Sequence, residues 1–312
     1  MKVCFVGIGS IAQRHVKNLR DICSQHKITL TVDALRREDS LNTLENLFDH
    51  IYYSSSNLSR DYDAVFITNP TQFHLQTLGN LYHNSNNFFI EKPVATFQQK
   101  NEIEMYAALQ EKICYVACPL RFTSVISYLK NNIVPDKVHG VRCICSSYLP
   151  DWRPGTDYRN IYSSDKKLGG GVSIDLIHEW DYIKYIFGIP KKIVYVNGKK
   201  SGLELNCEDY ASYIAEYKDK IIELHLDYFG RKAIREIMIL EENDTIIADL
   251  INGTIRYLQS EKVVNLQEGR DDYQKRELGY FLSLIKGKQS NINDISEAYK
   301  TLKLTQGIVE ES

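Results

Sequence analysis

Lys2-Val3-Cys4-Phe5-Val6-Gly7-Ile8-Gly9-Ser10-Ile11-Ala12 sets an apolar run, a glycine turn and the start of a helical pattern in immediate succession. The spacing is G-x-G-x-x-A, directly after a strand and before a helix. Gly7 permits the tight turn, Gly9 lets the backbone approach a pyrophosphate, and Ala12 lets the helix pack closely on the strand. Ser10 and Ile11 stand at the helix N-terminus, where backbone N–H groups and the helix dipole favour an anion. The motif points to dinucleotide binding; a βα turn without a ligand would carry the same glycines.

Outward from this turn, strand-like and helical runs alternate. Residues 11–23 have helical spacing, and 28–35, 63–68, 88–91 and 113–118 read as strands. Residues 96–109 read as a helix with Thr96 at its N-cap. Continuous apolar strands alternating with helices predict a parallel sheet covered on both faces. After about residue 120 the pattern changes. A long strand over 137–149 leads into a polar, proline-bearing loop over 150–167 and a helix over 171–187. Strand-like runs follow at 193–198, 210–217, 221–228, 235–240 and 245–249, with a turn at Asn252-Gly253, then helices over 272–285 and 295–309. The expected fold is α/β: a Rossmann domain over 1–120, then an α+β domain over 121–312 with a large open, mostly antiparallel sheet.

Composition narrows the function classes. The chain has 312 residues, 43% hydrophobic and 25% charged, so disorder is not expected. A formal net charge of -2 offers no long-range attraction for nucleic acid or an anionic membrane. No stretch reaches the ~18 apolar residues of a membrane span. The basic-then-apolar start lacks a small-x-small cleavage site and ends in the glycine turn, so it reads as a strand, not a leader. Seven cysteines without a C-x-x-C pattern suit a reducing cytoplasm. Cys143 and Cys145 share a strand face, but no nearby His or Cys completes a metal site, and no metal is expected.

The second strand ends in Ala34-Leu35-Arg36-Arg37. An acid usually stands there to bond the ribose 2′-hydroxyl of NAD. Arg36 and Arg37 could instead hold a 2′-phosphate through charge-assisted hydrogen bonds, favouring NADP over NAD. Asp33 argues the other way by its distance from the glycines, but it lies inside the strand and would point away from its tip. A solvated turn is the competing reading of the arginines.

GIGSIAQRH at 7–15, ITNPTQFH at 67–74, EKP at 91–93, Arg121-Phe122, GGGVSIDLIHEWD at 169–181 and the closing ELGYFLSLIKG together resemble the glucose–fructose oxidoreductase / inositol dehydrogenase (Gfo/Idh/MocA) family. The resemblance runs over essentially the whole chain. It implies an NAD(P)-dependent oxidoreductase acting on a hydroxyl of a sugar, sugar derivative or cyclitol, in a site between the two domains. It also implies a homodimer or homotetramer formed through the exposed sheet face.

Oxidising a secondary alcohol requires hydride removal from carbon and proton removal from oxygen by a group of tunable pKa. Lys92 follows the strand FFIE at the carboxyl edge of the sheet, where α/β ligands bind. Pro93 would lock the turn that aims it, and a cis Lys92–Pro93 bond is expected. On the residues alone, a surface lysine before a helix-starting proline is the competing reading. His178 is a natural acid/base near neutrality. Asp175, three residues earlier in a helical stretch, would share its face. The family spacing is D-x-x-x-H, whereas this chain has D-x-x-H, so the aspartate's role is less secure than the histidine's.

By resemblance, Thr68, Asn69, Pro70 and His74 line the nicotinamide ribose, Glu91 sits beside it, and Arg121 is the arginine at the domain junction. Trp152, Arg153, Asp157 and Tyr158, in the loop after the long strand, suit sugar stacking, hydroxyl recognition or anion binding. That loop looks like members found with surface-polysaccharide and nonulosonic sugar pathways. Two other readings remain open. One is a glycosidase or epimerase that retains its NAD(P) and oxidises transiently. The other is a non-catalytic sugar or NADP sensor.

Overall fold

The computed structural model describes residues 1–37, 45–108 and 111–309. The chain forms two compact units. One comprises Met1–Pro119 with Gly269–Tyr299; the other comprises Leu120–Glu268 with the residues from Lys300 onward.

In the first unit, β1 (Lys2–Val6), α1 (Ser10–Gln25), β2 (Thr31–Leu35), β3 (His50–Tyr52), β4 (Ala64–Ile67), α2 (His74–Asn80), β5 (Asn87–Ile90), α3 (Lys100–Ala108) and β6 (Ile113–Val116) follow in chain order. The six strands pair in parallel in the order β3-β2-β1-β4-β5-β6. This is the doubly wound Rossmann order, with its switch point between β1 and β4. Buried on both faces, the central strands tolerate no polar alternation: Val3, Phe5, Val65, Phe66, Phe88 and Phe89 are all fully buried. Phe5 stacks on Phe66 at 4.4 Å and Phe66 on Phe89 at 5.1 Å, a ridge across three strands. The helix expected over 96–109 starts as one tight turn. Gln99 Oε1 accepts from the Thr96 N–H (3.1 Å) and hydroxyl (3.0 Å). Leu109 lies outside the described residues.

In the second unit, α4 (Ser124–Asn132), β7 (Val138–Tyr148), α5 (Val172–Asp175), α6 (Ile177–Phe187), β8 (Lys192–Gly198), β9 (Tyr210–Glu216), β10 (Ile221–Asp227), β11 (Phe229–Glu241), β12 (Thr245–Asp249), β13 (Thr254–Tyr257) and β14 (Val263–Asn265) follow. The eight strands form one open sheet in the order β14-β13-β12-β11-β7-β10-β9-β8. Only β10 and β7 run parallel. One face of the sheet is covered by α6, whose Trp180 and Tyr182 are fully buried.

The chain closes with α7 (Arg270–Ile285) and α8 (Ile295–Leu304). A domain boundary near residue 120 places all of 121–312 in the second domain, but the structure returns Gly269–Tyr299 to the first unit. The reason is packing. Phe281 of α7 meets Phe66 and Phe89 edge-on at 5.7 and 5.3 Å. Buried Glu277 accepts from the Cys118 N–H at 2.7 Å and the Tyr115 hydroxyl at 3.0 Å. All seven cysteines are buried thiols. Cys143 Sγ lies 3.1 Å from the Tyr182 hydroxyl, as a packed core thiol does.

Candidate active site

The glycine turn is shaped for a diphosphate. Gly7 adopts φ +85°, and a Cβ there would lie 2.8 Å from Asn69 Cα, so only glycine fits. A Cβ on Gly9 would meet nothing within 4 Å, because its backbone faces open space. Gly9 caps α1 with no side-chain hydrogen bond, and the first turn carries no acid. The leading N–H groups of a 16-residue helix are thus left for an anion. Buried Asn69 Oδ1, beside Gly7, also has no partner among the described residues. Ser10 is exposed at the same helix tip.

The strand tip resolves which residue could read the ribose. Asp33 is fully buried, and both its oxygens are engaged. Oδ1 lies 2.8 Å from His50 Nδ1, and Oδ2 accepts from the Tyr62 hydroxyl at 2.7 Å. Arg36 is anchored by its N–H on Tyr52 O (3.0 Å) and its Nε on Arg37 O (3.3 Å), while Arg37 is exposed.

Thr68, Asn69, Pro70 and His74 build the neighbouring loop. The Thr68 hydroxyl reaches the carbonyls of Val6 and Gly7 at 3.0 and 2.9 Å and ties β4 to the turn. Asn69 Nδ2 donates to Thr77 Oγ1 at 2.7 Å. His74 is buried behind the loop. Its Nδ1 faces Pro93 O and its Nε2 faces Asn69 O, both at 2.9 Å, so it ties the two loops together. Burial drives its pKa below the ordinary histidine value, against the two carbonyls, which favour the protonated ring.

The Lys92–Pro93 peptide is cis. Lys92 is half-buried, and its N–H donates to its neighbour Glu91 Oε2 at 3.3 Å. The other Glu91 oxygen lies 2.6 Å from His15 Nε2 of α1. Burial raises the Glu91 pKa, but the hydrogen bond and charge of His15, with the nearby Lys92, outweigh it and hold the carboxyl below its ordinary value. Glu91 therefore braces the Lys92 corner against α1. His15 was visible in the sequence as the last residue of the first motif, but nothing there disclosed its partner.

In the second unit, Asp175 and His178 do not lie on one continuous helix. The helix expected over 171–187 breaks at Leu176 (φ -95°, ψ 31°), so i,i+3 spacing no longer guarantees a shared face. Asp175 turns to two phenols that the sequence reading missed. Tyr228 donates to its Oδ2 at 2.6 Å, and the Tyr162 phenol lies near enough to feel its charge. Burial, then the Asp175 charge and hydrogen bond, raise both tyrosine pKa values, so both hydroxyls stay protonated donors. Tyr162 as a whole is 40% exposed. The glycine run serves this loop: a Cβ on Gly170 would lie 2.2 Å from Tyr162 O.

His178 is half-buried in the first turn of α6, whose neighbouring charges are tied down. Arg121 is buried and grips Asp181 through Nε at 2.8 Å and Nη2 at 2.6 Å. It thus serves α6 within the second unit. Glu179, fully buried, pairs with Arg235 of β11 at 2.8 Å. Trp152 meets Tyr228 edge-on at 5.3 Å and donates to Ser147 Oγ at 2.9 Å. Arg153 lies over the Tyr162 ring. Asp157 accepts from Arg159, and the Tyr158 hydroxyl accepts from Glu204 N at 3.0 Å, so these two shape an exposed loop.

A six-stranded parallel sheet whose glycine turn feeds α1 defines a dinucleotide-binding fold of Rossmann type. Residues 1–118 match the Gfo/Idh/MocA family model, described as oxidoreductase family, NAD-binding Rossmann fold. The N-terminal part of the chain matches that family's model, where its first motifs lie. An uncharacterized oxidoreductase, YrbE of Bacillus subtilis (strain 168), is 24% identical over 197 residues, 62% of this chain. The match spans 55%, about half, of that relative's length. Among solved structures, UDP-N-acetylglucosamine 3-dehydrogenase GnnA from Acidithiobacillus ferrooxidans superposes with a TM-score of 0.78 at 18% identity, covering 98% of this chain and 95% of that one. Levoglucosan dehydrogenase in complex with NADH and levoglucosan gives 0.84 at 14% identity, covering 99% and 96%. The WlbA dehydrogenase from Bordetella pertussis, in complex with NADH and UDP-GlcNAcA, gives 0.79 at 14%, covering 99% and 95%. These likenesses show that the two-domain fold is shared along nearly the whole chain.

Proposed function

We propose that this protein is an NADP-preferring dehydrogenase acting on a hydroxyl of a sugar or sugar derivative. The observation that carries the cofactor half is the glycine turn, with its open Gly9 backbone and uncapped helix. The bound nicotinamide would accept or return the hydride. Lys92, braced through Glu91 and His15, would take the hydroxyl proton, with His178 as a second proton-transfer group. Asp175, held by Tyr228, would accept a substrate hydroxyl. Asp33 is closed off by His50 and Tyr62, which leaves Arg36 and Arg37 to receive a 2′-phosphate. Dehydrogenases among the solved structures with this fold bind sugars or nucleotide sugars, which supports that substrate range.

The outward sheet face exposes Val194, Val196, Ile214, Ile221 and Ile234, an apolar patch suited to a second copy of the chain. Buried thiols throughout suit the reducing cytoplasm. The test is a panel of sugars with NAD+ or NADP+, following reduced nicotinamide. Lys92→Met should abolish turnover while NADP still raises the melting temperature. Full activity in that variant overturns the role of Lys92. Sugar conversion without net reduction would point to a cofactor-retaining glycosidase or epimerase.

A further inference from the structure

The eight-stranded sheet carries a serine, a histidine and a carboxylate in hydrogen-bonded sequence on the face that α6 leaves open. Tyr213 of β9 packs edge-on against Trp180 of α6 at 5.3 Å, so its neighbour Ser212 points away from that helix. Across the β9–β10 ladder Ser212 pairs with His225. Asp227 stands two residues further along β10, on the same face. Ser212 Oγ lies 2.8 Å from His225 Nδ1, and Asp227 Oδ2 lies 3.1 Å from His225 Nε2. Ser212 and His225 line a groove of about 340 Å³ on this face, together with Arg142, Ile144, Ile214 and Met238.

The direction of the two bonds follows from Asp227. Its carboxylate is buried, and Oδ1 accepts from the N–H groups of Phe229 (3.0 Å) and Gly230 (2.8 Å). Burial raises its pKa, but the bonds from His225, Ser146 and these two N–H groups outweigh burial and hold the carboxyl below its ordinary value. An ionised carboxylate only accepts, so Nε2 carries the proton of the neutral ring. Nδ1 is then an acceptor, and the Ser212 hydroxyl donates to it. A hydroxyl aimed at an imidazole lone pair, with the far nitrogen oriented by a carboxylate, is the arrangement that activates a nucleophile. The His225 side chain is 40% exposed, so the groove is open to a reactant. The nearest cation of the lining, Arg142, pairs with Glu223 at 3.3 Å and does not compete for Asp227.

We propose that Ser212, His225 and Asp227 form a second, hydrolytic site, in which Ser212 takes the acyl group from an ester of a short apolar acid. Ser212 Oγ bonds to the carbonyl carbon, and the bond from that carbon to the leaving alcohol oxygen breaks. The proton passes from Oγ to His225 Nδ1 and on to the departing oxygen, while Asp227 stays ionised and holds the ring. Water then repeats the sequence through the same nitrogen, releasing the acid and restoring Ser212. Ile144, Ile214 and Met238 give the groove apolar walls for the acyl chain. The site needs no dinucleotide and stands apart from the sugar chemistry. A second copy seated on this face would cover Ser212, so the free chain is the reactive form.

The test treats the full-length protein with an alkyl fluorophosphonate, maps the adduct by peptide mass spectrometry, and follows hydrolysis of p-nitrophenyl butyrate. A second chain carrying Val194→Asp and Ile221→Asp, exposed positions outside the groove lining, secures the free form. Ser212 should carry the adduct, and Ser212→Ala should abolish both the adduct and ester turnover. His225→Gln should slow both at least about 100-fold, the contribution of a positioned general base, with the melting temperature unchanged. Sugar-dependent reduction of NADP+ should survive Ser212→Ala. Reaction in the Asp-substituted chain but not in the unsubstituted one supports the proposal and shows the face covered by a second copy. No adduct on Ser212 in either chain, an adduct spread over many hydroxyls, an adduct without ester turnover, or labelling as fast in His225→Gln overturns it.

Discussion

Replacing Tyr228 with Phe removes one oxygen atom and tests how Asp175 is held. The carboxylate is 5% exposed and takes a 2.6 Å hydrogen bond from the fully buried Tyr228. A hydrogen bond to a charged group contributes about 1.5–3 kcal/mol, and losing a lone hydroxyl leaves almost no cavity, so the expected loss is about 2 kcal/mol. Tyr162→Phe should cost less, because its ring is 40% exposed and water can reach that side more readily. Because Tyr162 neighbours the same buried carboxylate, the double variant should lose more than the sum of the single effects. The protein offers a local probe. It has two tryptophans, Trp152 and Trp180, and both lie in the second unit. Urea unfolding followed by tryptophan fluorescence therefore reports on that unit. With a slope of about 2 kcal/mol per molar, the midpoint for Tyr228→Phe should fall by roughly 1 M. An unchanged midpoint, or strictly additive single effects, would refute the shared-acceptor arrangement.

Three further outcomes follow from the same geometry. Gly9→Ala should cost less than about 1 kcal/mol of stability, the difference between a Gly and an Ala cap, yet weaken NADP binding at least about tenfold. Gly7→Ala should lower the melting temperature itself, because its Cβ would collide with Asn69; equal thermal behaviour of the two variants would contradict the cradle. Burial lowers the pKa of His74 in the fold, so the unfolded chain binds more protons just under about pH 6.5. Its stabilisation is complete above about pH 6.5 and is lost as pH falls toward the folded value, so His74→Gln should flatten the acid side of a melting-temperature profile. Arg235→Met should destabilise the second unit by about 3–5 kcal/mol by stranding Glu179, and Glu179→Gln in the same chain should recover part of that loss. Urea titrations of the single and double variants decide it.

What the sequence disclosed divides along physical lines. β1, β4, β5 and β6 were legible because strands buried on both faces must be continuously apolar. β3 was not, since His50-Ile51-Tyr52 is three residues long and half polar. α2, only seven residues long, has too few turns for its helical spacing to stand out. α7 was visible as a helix, but the periodicity of its apolar face does not say which unit it covers. That choice depends on Glu277 meeting the Cys118 N–H, 159 residues away in the chain. Asp33 could be placed inside the strand from the sequence, but only the structure supplies His50 and Tyr62 as its partners. The phenols on Asp175 could not be read, because Tyr228 lies 53 residues beyond it.

The stretch HEWDYIK shows most clearly how local patterning misleads near a functional site. Charges at this density normally mark a solvated face, yet Glu179 and Asp181 are both buried. Each pairs with an arginine from a different element, Asp181 with Arg121 near α4 and Glu179 with Arg235 on β11. Buried ion pairs are a poor source of net stability, because desolvating both partners offsets much of their attraction, and apolar replacements often do as well. Their consequence here is geometric. Two pairs two residues apart, pulling toward different elements, fix the rotation of α6 about its own axis. His178 adjoins Glu179, so the same two arginines set the direction in which its Cα–Cβ bond leaves α6. An apolar α6 could slide or turn in its groove by small steps at little cost; one held by Arg121 and Arg235 cannot turn without stranding a charge.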